Sequence, residues 1–173
     1  MHVTEPMTLV TDYLLAGESI LLALSLLLRS RAAGRGAVGL WGVAFLVGGL
    51  AALAGGTAHG FRLHLGEANW SVVWNLTVGS IGASAVLMLA AGIRSVLRSE
   101  ASGEAERQAG VGYLKKGILV SLVGLSILLG KLSLHRHLNQ NDLYHLVQML
   151  GLFLFYRGAL LLHGLEVKKS PKT

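Results

Sequence analysis

Apolar residues run nearly unbroken through five stretches of this chain, at residues 9–28, 37–58, 72–93, 117–134 and 143–165. A hydrocarbon core about 30 Å thick takes roughly 20 residues of helix. Within it every backbone amide must bond inside its own element, so runs of this length are helices and not strands. The second and third runs hold no charged residue, the first is interrupted by Asp12 and Glu18, and the fourth has Lys131 near its end. The fifth carries His145, Gln148, Arg157 and His163. The pattern predicts an all-α polytopic bundle of five transmembrane helices. It forms one domain over residues 1–173, with a solvated polar connector at 99–111 and no internal repeat.

The polar flanks orient these helices. The leader MHVTEPMTLVTD has two acids and neither Lys nor Arg, unlike the basic leader of a secretory signal. Arg29, Arg31 and Arg35, then Arg94, Arg98, Arg107, Lys115 and Lys116, then Lys168, Lys169 and Lys172 put eleven bases on one side, against Arg62, Lys131 and Arg136 on the other. The positive-inside rule then places the N-terminus outside and the C-terminus in the cytoplasm of a multi-pass inner-membrane protein. Trp70, Trp74 and Tyr144 fall at the outer interface and Trp41 and Tyr113 at the inner one, as aromatic belts.

Composition sharpens the exclusions. Only 14% of the 173 residues are charged, well under the roughly 25% of soluble chains. There is no cysteine, which removes disulfides, thiolate metal sites and cysteine nucleophiles. The net charge of +6 sits between apolar runs and not along one stripe with interleaved aromatics, so it speaks against nucleic acid. Its expected partners are the bilayer, anionic lipid headgroups on the cytoplasmic side and other membrane subunits. No G-x-S-x-G, H-E-x-x-H, Walker or dinucleotide signature is present.

Candidate chemistry gathers at one end. Six of the seven histidines, His2, His59, His64, His135, His137 and His145, fall toward the outer side, and His163 alone toward the cytoplasm. His59 closes the second run inside Gly55-Gly56-Thr57-Ala58-His59-Gly60-Phe61, where Gly56 and Gly60 form a small-xxx-small pair that admits a close neighbour. In the fifth run Asn141 or Asp142 suits the N-cap. At 100° per residue, Asp142 and Gln148 lie about 60° to either side of His145. Asp12 starts the first run at the same level. Glu18 lies about 9 Å deeper and needs a partner, which Arg157 is placed to supply. Asn75 and Thr77 add polar groups below Trp70 and Trp74, and the Gly79/Ala83 and Ser80/Ser84 spacings suggest helix packing.

Three ordered motifs, Thr11-Asp12-Tyr13, Gly55-Gly56-x-x-His59-Gly60-Phe61 and Asn141-Asp142-x-x-His145-x-x-Gln148, give the chain a resemblance to a family of small bacterial membrane proteins of unknown function. That resemblance spans most of the chain and implies no activity. The chain is also distantly similar to the CREST superfamily of membrane hydrolases, seven-helix proteins whose zinc is held by an early His and a late H-x-x-x-H pair. The similarity implies His59 as the early ligand and His145 as the second of the pair. Asn141 stands where the other His would be, and two helices are missing.

Three functions follow as expectations. A metal-dependent hydrolase of a lipid-like amide or ester would hold zinc with His59, His145 and Asp142 and use Asp12 as general base. A b-type haem protein would use His59 and His145 as axial ligands. A non-catalytic subunit, receptor or sensor would use the outer histidines to respond to pH or to a ligand. In each, Glu18, Asn75, Gln148 and Arg157 line the pocket or pair within it.

Overall fold

The computed structural model describes residues 3–33, 36–99, 103–135 and 138–165. His2, Arg35, Arg136, His137, Lys168, Lys169 and Lys172 lie outside the described residues, and with them part of the basic count and two of the histidines. Five helices result: α1 (Pro6–Ala33), α2 (Gly36–Gly60), α3 (Arg62–Leu97), α4 (Glu104–Leu129) and α5 (Gln140–Leu162). All five are long and apolar enough to cross a membrane, which makes the chain an integral membrane protein in contact with lipid.

Two boundaries differ from the sequence expectation. Helix α4 starts at Glu104, inside the stretch read as a connector. Glu104-Ala105-Glu106-Arg107-Gln108-Ala109 is polar, but it consists of strong helix formers. It is further held by Glu104 contacts to Arg107 at 3.9 Å and Gln108 at 3.3 Å. Polarity ends a membrane span without ending a helix. Helix α3 begins ten residues early, at Arg62, and Phe61 is the one residue between it and α2. A bend at Gly66 (φ 68°, ψ 163°) sets off its first turn. That left-handed conformation suits glycine. It swings Arg62 back over the Trp70 ring, 4.6 Å from its centroid.

Across the bundle the packing order is α3–α2–α1–α5–α4, an arc in which α2 lies between α1 and α3, and α5 between α1 and α4. Helices α3 and α4, neighbours in sequence, sit at the two ends of the arc and are the least buried. Close approach within the arc depends on small residues, because lipid tails offer no hydrophobic gain when helices associate. A methyl at Gly56 would stand 2.7 Å from the Tyr13 ring, and one at Gly60 would stand 2.8 Å from Leu9, so this pair belongs to the α1–α2 contact, which Gly42 and Gly49 continue against Leu27 and Ile20. Gly79, by contrast, has nothing within 4 Å, and the packing expected of it is not found; Ser84 carries that contact alone by donating to the Ala44 carbonyl at 2.9 Å.

Trp41 is not a belt residue. It is 1% exposed, stacks near Phe155, and donates through Nε1 to Ser95 Oγ at 2.9 Å. Ser95 Oγ also lies 3.0 Å from His163 Nε2, which ties α2, α3 and the end of α5 together. An indole whose N–H finds a buried acceptor can leave the interface for the core.

Candidate functional site

Because α1, α3 and α5 start, and α2 and α4 finish, at the same end of the bundle, His59, His64, His135 and His145 share that end, called the amino end below. His163 is at the other. The seam between α1 and α5 at the amino end is where polar side chains converge. Thr8, Thr11 and Asp12 recur on one face of α1, and all three are buried. Opposite them α5 presents Asp142 (fully buried) and His145 (8% exposed).

Helix α5 is fixed at its start by Asn139, not by Asn141 or Asp142 as expected. Asn139 Oδ1 accepts from the Asn141 and Asp142 amides at 2.7 and 3.2 Å, and Asp142 Oδ2 accepts from the Asn139 amide at 2.8 Å. This reciprocal capping box puts Asp142 at the third helical position. Asn139 Nδ2 donates on to Thr8 Oγ1 at 3.2 Å, which carries the cap across to α1.

From there a chain of contacts leads inward. Thr11 Oγ1 lies 3.4 Å from Asp142 Oδ1, 3.2 Å from the Thr8 carbonyl and 3.0 Å from His145 Nδ1. The other imidazole nitrogen, Nε2, is 3.3 Å from Asp12 Oδ1. A threonine has one hydrogen to donate. If it goes to Nδ1, then Nε2–H points at the Asp12 carboxylate. If it goes to an oxygen, Nδ1–H points at Thr11, and Nε2 and Asp12 share a proton. In the first arrangement the ring supplies the hydrogen of the Asp12–His145 contact and in the second Asp12 must carry it, and both ring nitrogens face a polar partner.

Asp12 Oδ2 is different. It is buried and has no hydrogen-bond partner among the described residues. Gly55 faces this carboxylate: a methyl there would lie 3.6 Å from both oxygens and 3.3 Å from Thr77 Cγ2. Asp12 also lines a cavity of about 180 Å³ whose polar wall is Ser19, Thr77, Ser84, Tyr144 and Gln148. Ala85, Met88, Tyr144 and Gln148 line both this cavity and a larger one of about 720 Å³. The larger one is the groove between α3 and α4, with Trp41 and Phe155 on its floor and almost wholly apolar walls. It reaches from Ala85 to Leu97 along α3, about 18 Å at helical rise. Asp12, with its unpartnered carboxylate oxygen, thus lines a small polar cavity that shares a wall with the open apolar groove between α3 and α4.

The remaining expected residues divide. His59 Nδ1 pairs with Glu5 Oε2 at 3.3 Å, and the ring stands edge-on to Trp74, itself stacked on Trp70. Each of the two histidines therefore has its own carboxylate: Glu5, just before α1, and Asp12, seven residues later within it. Gln148 lines both cavities, whereas Asn75 is exposed and lines neither. Glu18 and Arg157 do not pair. Glu18 Oε2 has no hydrogen-bond partner among the described residues, while Arg157 lies over the Tyr113 ring at 5.7 Å. Helix α5 turns Tyr156, one residue earlier, toward α1, where it meets Ser25 Oγ at 2.9 Å, and so directs Arg157 toward α4.

This geometry bears on metal or haem binding. Among the described residues no group of three or more His, Asp or Glu is placed to hold a metal ion. Asp142 accepts through both oxygens, near Thr11 and from the Asn139 amide, and the two ring nitrogens of His145 face Thr11 and Asp12. Sequence reasoning left Glu5, Thr8, Thr11 and Asn139 out of the site. The recurrence of Glu5, Thr8 and Asp12 at helical spacing, and the Asn139-x-x-Asp142 capping pattern, were the signals available.

A family model matches the chain over residues 7–103 and 102–163, and its description is a family of unknown function (DUF6962). The two stretches meet at the α3–α4 connection. No curated protein and no solved structure matches the chain.

Proposed function

The chain belongs to DUF6962, and we propose that it is a membrane-embedded receptor for an amphiphile that enters sideways from the bilayer. The apolar tail lies in the α3–α4 groove and the polar end reaches Asp12, which His145 holds in place. One observation carries this reading: Asp12, whose Oδ2 is buried with no hydrogen-bond partner among the described residues, lines a small cavity that shares four wall residues with the apolar α3–α4 groove. Buried polar atoms are almost always satisfied, and one that is not, inside a membrane helix and facing a cavity, marks a place for a ligand. Apolar pockets with a few convergent polar groups are the usual form of small-molecule sites. The excess of basic residues at the opposite end supports an outward-facing position for Asp12.

The test uses Trp41, which lies on the groove floor. With Trp70 and Trp74 replaced by Phe, a bromoalkyl probe should quench Trp41 saturably in purified protein. Gly92 lines the same groove, and a methyl there would lie 3.8 Å from Trp41 Cζ2. Gly92→Leu should therefore abolish saturable quenching. Quenching that rises linearly with probe, and equally in both proteins, would refute the reading.

A further inference from the structure

We propose that the head accepted at Asp12 is an uncharged hydroxyl, so that the ligand is a long-chain or diacyl alcohol and not a phospholipid. This rests on the amphiphile reading above and narrows it to a chemical class.

The atoms around the cavity select the head. Asp12 Oδ2 is buried and unpartnered among the described residues, and the residue is 4% exposed. A hydroxyl both donates and accepts, so it satisfies this oxygen wherever the proton shared with His145 resides. Thr77 and Ser84 donate their own hydrogens to the Val73 and Ala44 carbonyls, both at 2.9 Å, so their oxygens face the cavity as acceptors. Ser19, Tyr144 and Gln148 complete the polar wall with groups that both donate and accept, and a ligand hydroxyl can answer either kind.

Charge excludes the alternatives. No Lys or Arg lines the smaller cavity, and Asp142 stands behind His145 and Thr11, so a phosphate would meet carboxylates without a counter-ion. The one basic residue lining the groove is Lys115, at its far end. An ammonium head would suit the carboxylate, but it must first cross the apolar groove, and stripping water from an isolated charge costs far more than stripping it from a hydroxyl. Size agrees as well. A cavity of about 180 Å³ equals roughly six waters at their share of liquid volume, enough for a hydroxyl or glycerol end.

Four probes with one tail decide the matter: 1-hexadecanol, hexadecyl methyl ether, hexadecylamine and hexadecyl phosphate. Each competes with the bromoalkyl probe for Trp41 in the full chain. The alcohol should bind about ten-fold more tightly than the ether, the loss typical when one buried hydrogen bond goes unmade. Asp12→Ala should bring the alcohol down to the ether while leaving the ether unchanged. Ala85→Phe, at an exposed position where the two cavities join, should do the same without disturbing the α1–α5 seam, and so serves if Asp12→Ala does not fold. Equal affinity of alcohol and ether, or tighter binding of amine or phosphate, overturns the head class and leaves the amphiphile reading standing. If no probe displaces the bromoalkyl chain, or that chain itself shows no saturable quenching, both readings fall.

Discussion

Replacing Gly56 with alanine would strike the contact that positions Asp12. The added methyl would lie 2.7 Å from Cδ1 and Cε1 of Tyr13 and 2.9 Å from Asp12 Cβ. Carbon atoms rest at about 3.5–4.0 Å. Tyr13 can swing aside only by giving up its hydroxyl contact to Thr57 Oγ1 at 3.1 Å, and Asp12 Cβ belongs to the helix and cannot swing at all. Helices α1 and α2 must part by about half an ångström or more to restore ordinary spacing. Overpacking of this kind costs about 1–3 kcal/mol, against which alanine returns about 0.5–1 kcal/mol of helix preference over glycine. Gly79→Ala, at a glycine with nothing within 4 Å, supplies the control because it gains the preference without the clash. The two variants should therefore differ by about 1–3 kcal/mol in SDS-induced unfolding from mixed micelles. The movement should also disturb the 3.3 Å Asp12–His145 contact, so the His145 ring resonances should shift in Gly56→Ala and not in Gly79→Ala. Equal stabilities for the two proteins would refute the claim that small residues set the α1–α2 distance.

Three further outcomes follow from the same contacts. Asn139→Ala removes the capping box and the bond to Thr8, and should lower stability by about 1–2 kcal/mol in the same assay; Asn139→Asp, a good cap, should recover most of it. Glu18→Leu removes a carboxyl oxygen that is buried without a hydrogen-bond partner among the described residues; it should leave stability unchanged or raise it by about 1–3 kcal/mol, and a loss of that size would reveal a partner. Ser95→Ala takes the acceptor from Trp41 Nε1 and should cost about 1–3 kcal/mol, with a change in Trp41 emission that Ser126→Ala, which loses only a bond to its own helix at Leu122, does not show.

The five helices were legible because period and length in lipid leave few alternatives. The polar first turns of α4 at Glu104 were expected as a connector because membrane hydropathy and helix preference are separate properties that coincide only inside the bilayer. The site was legible by residue and not by pairing. Asp12, His145, Asp142 and Gln148 do converge at one end, as their shared face on α5 and matching depth on α1 imply. Which imidazole meets which carboxylate depends on helix rotations of a few tens of degrees, and hydropathy does not encode those. Glu18 and Arg157 were separated by depth as well as direction: the Thr11–His145 and Ser25–Tyr156 contacts set Arg157 about two helical turns beyond the level of Glu18, and it turns toward α4. The α3–α4 groove could not be foreseen, since it arises from the failure of two consecutive helices, α3 and α4, to pack.

The α1–α5 seam also sets a problem for biogenesis. Ribosomes deliver α1 first, and Thr11 must wait for a partner 134 residues downstream. At about 5–20 residues per second that interval is roughly 7 to 27 seconds. Throughout it Asp12 has no His145 beside it, so the nascent first span must linger beside the insertion machinery or draw water to this carboxylate until the last helix arrives.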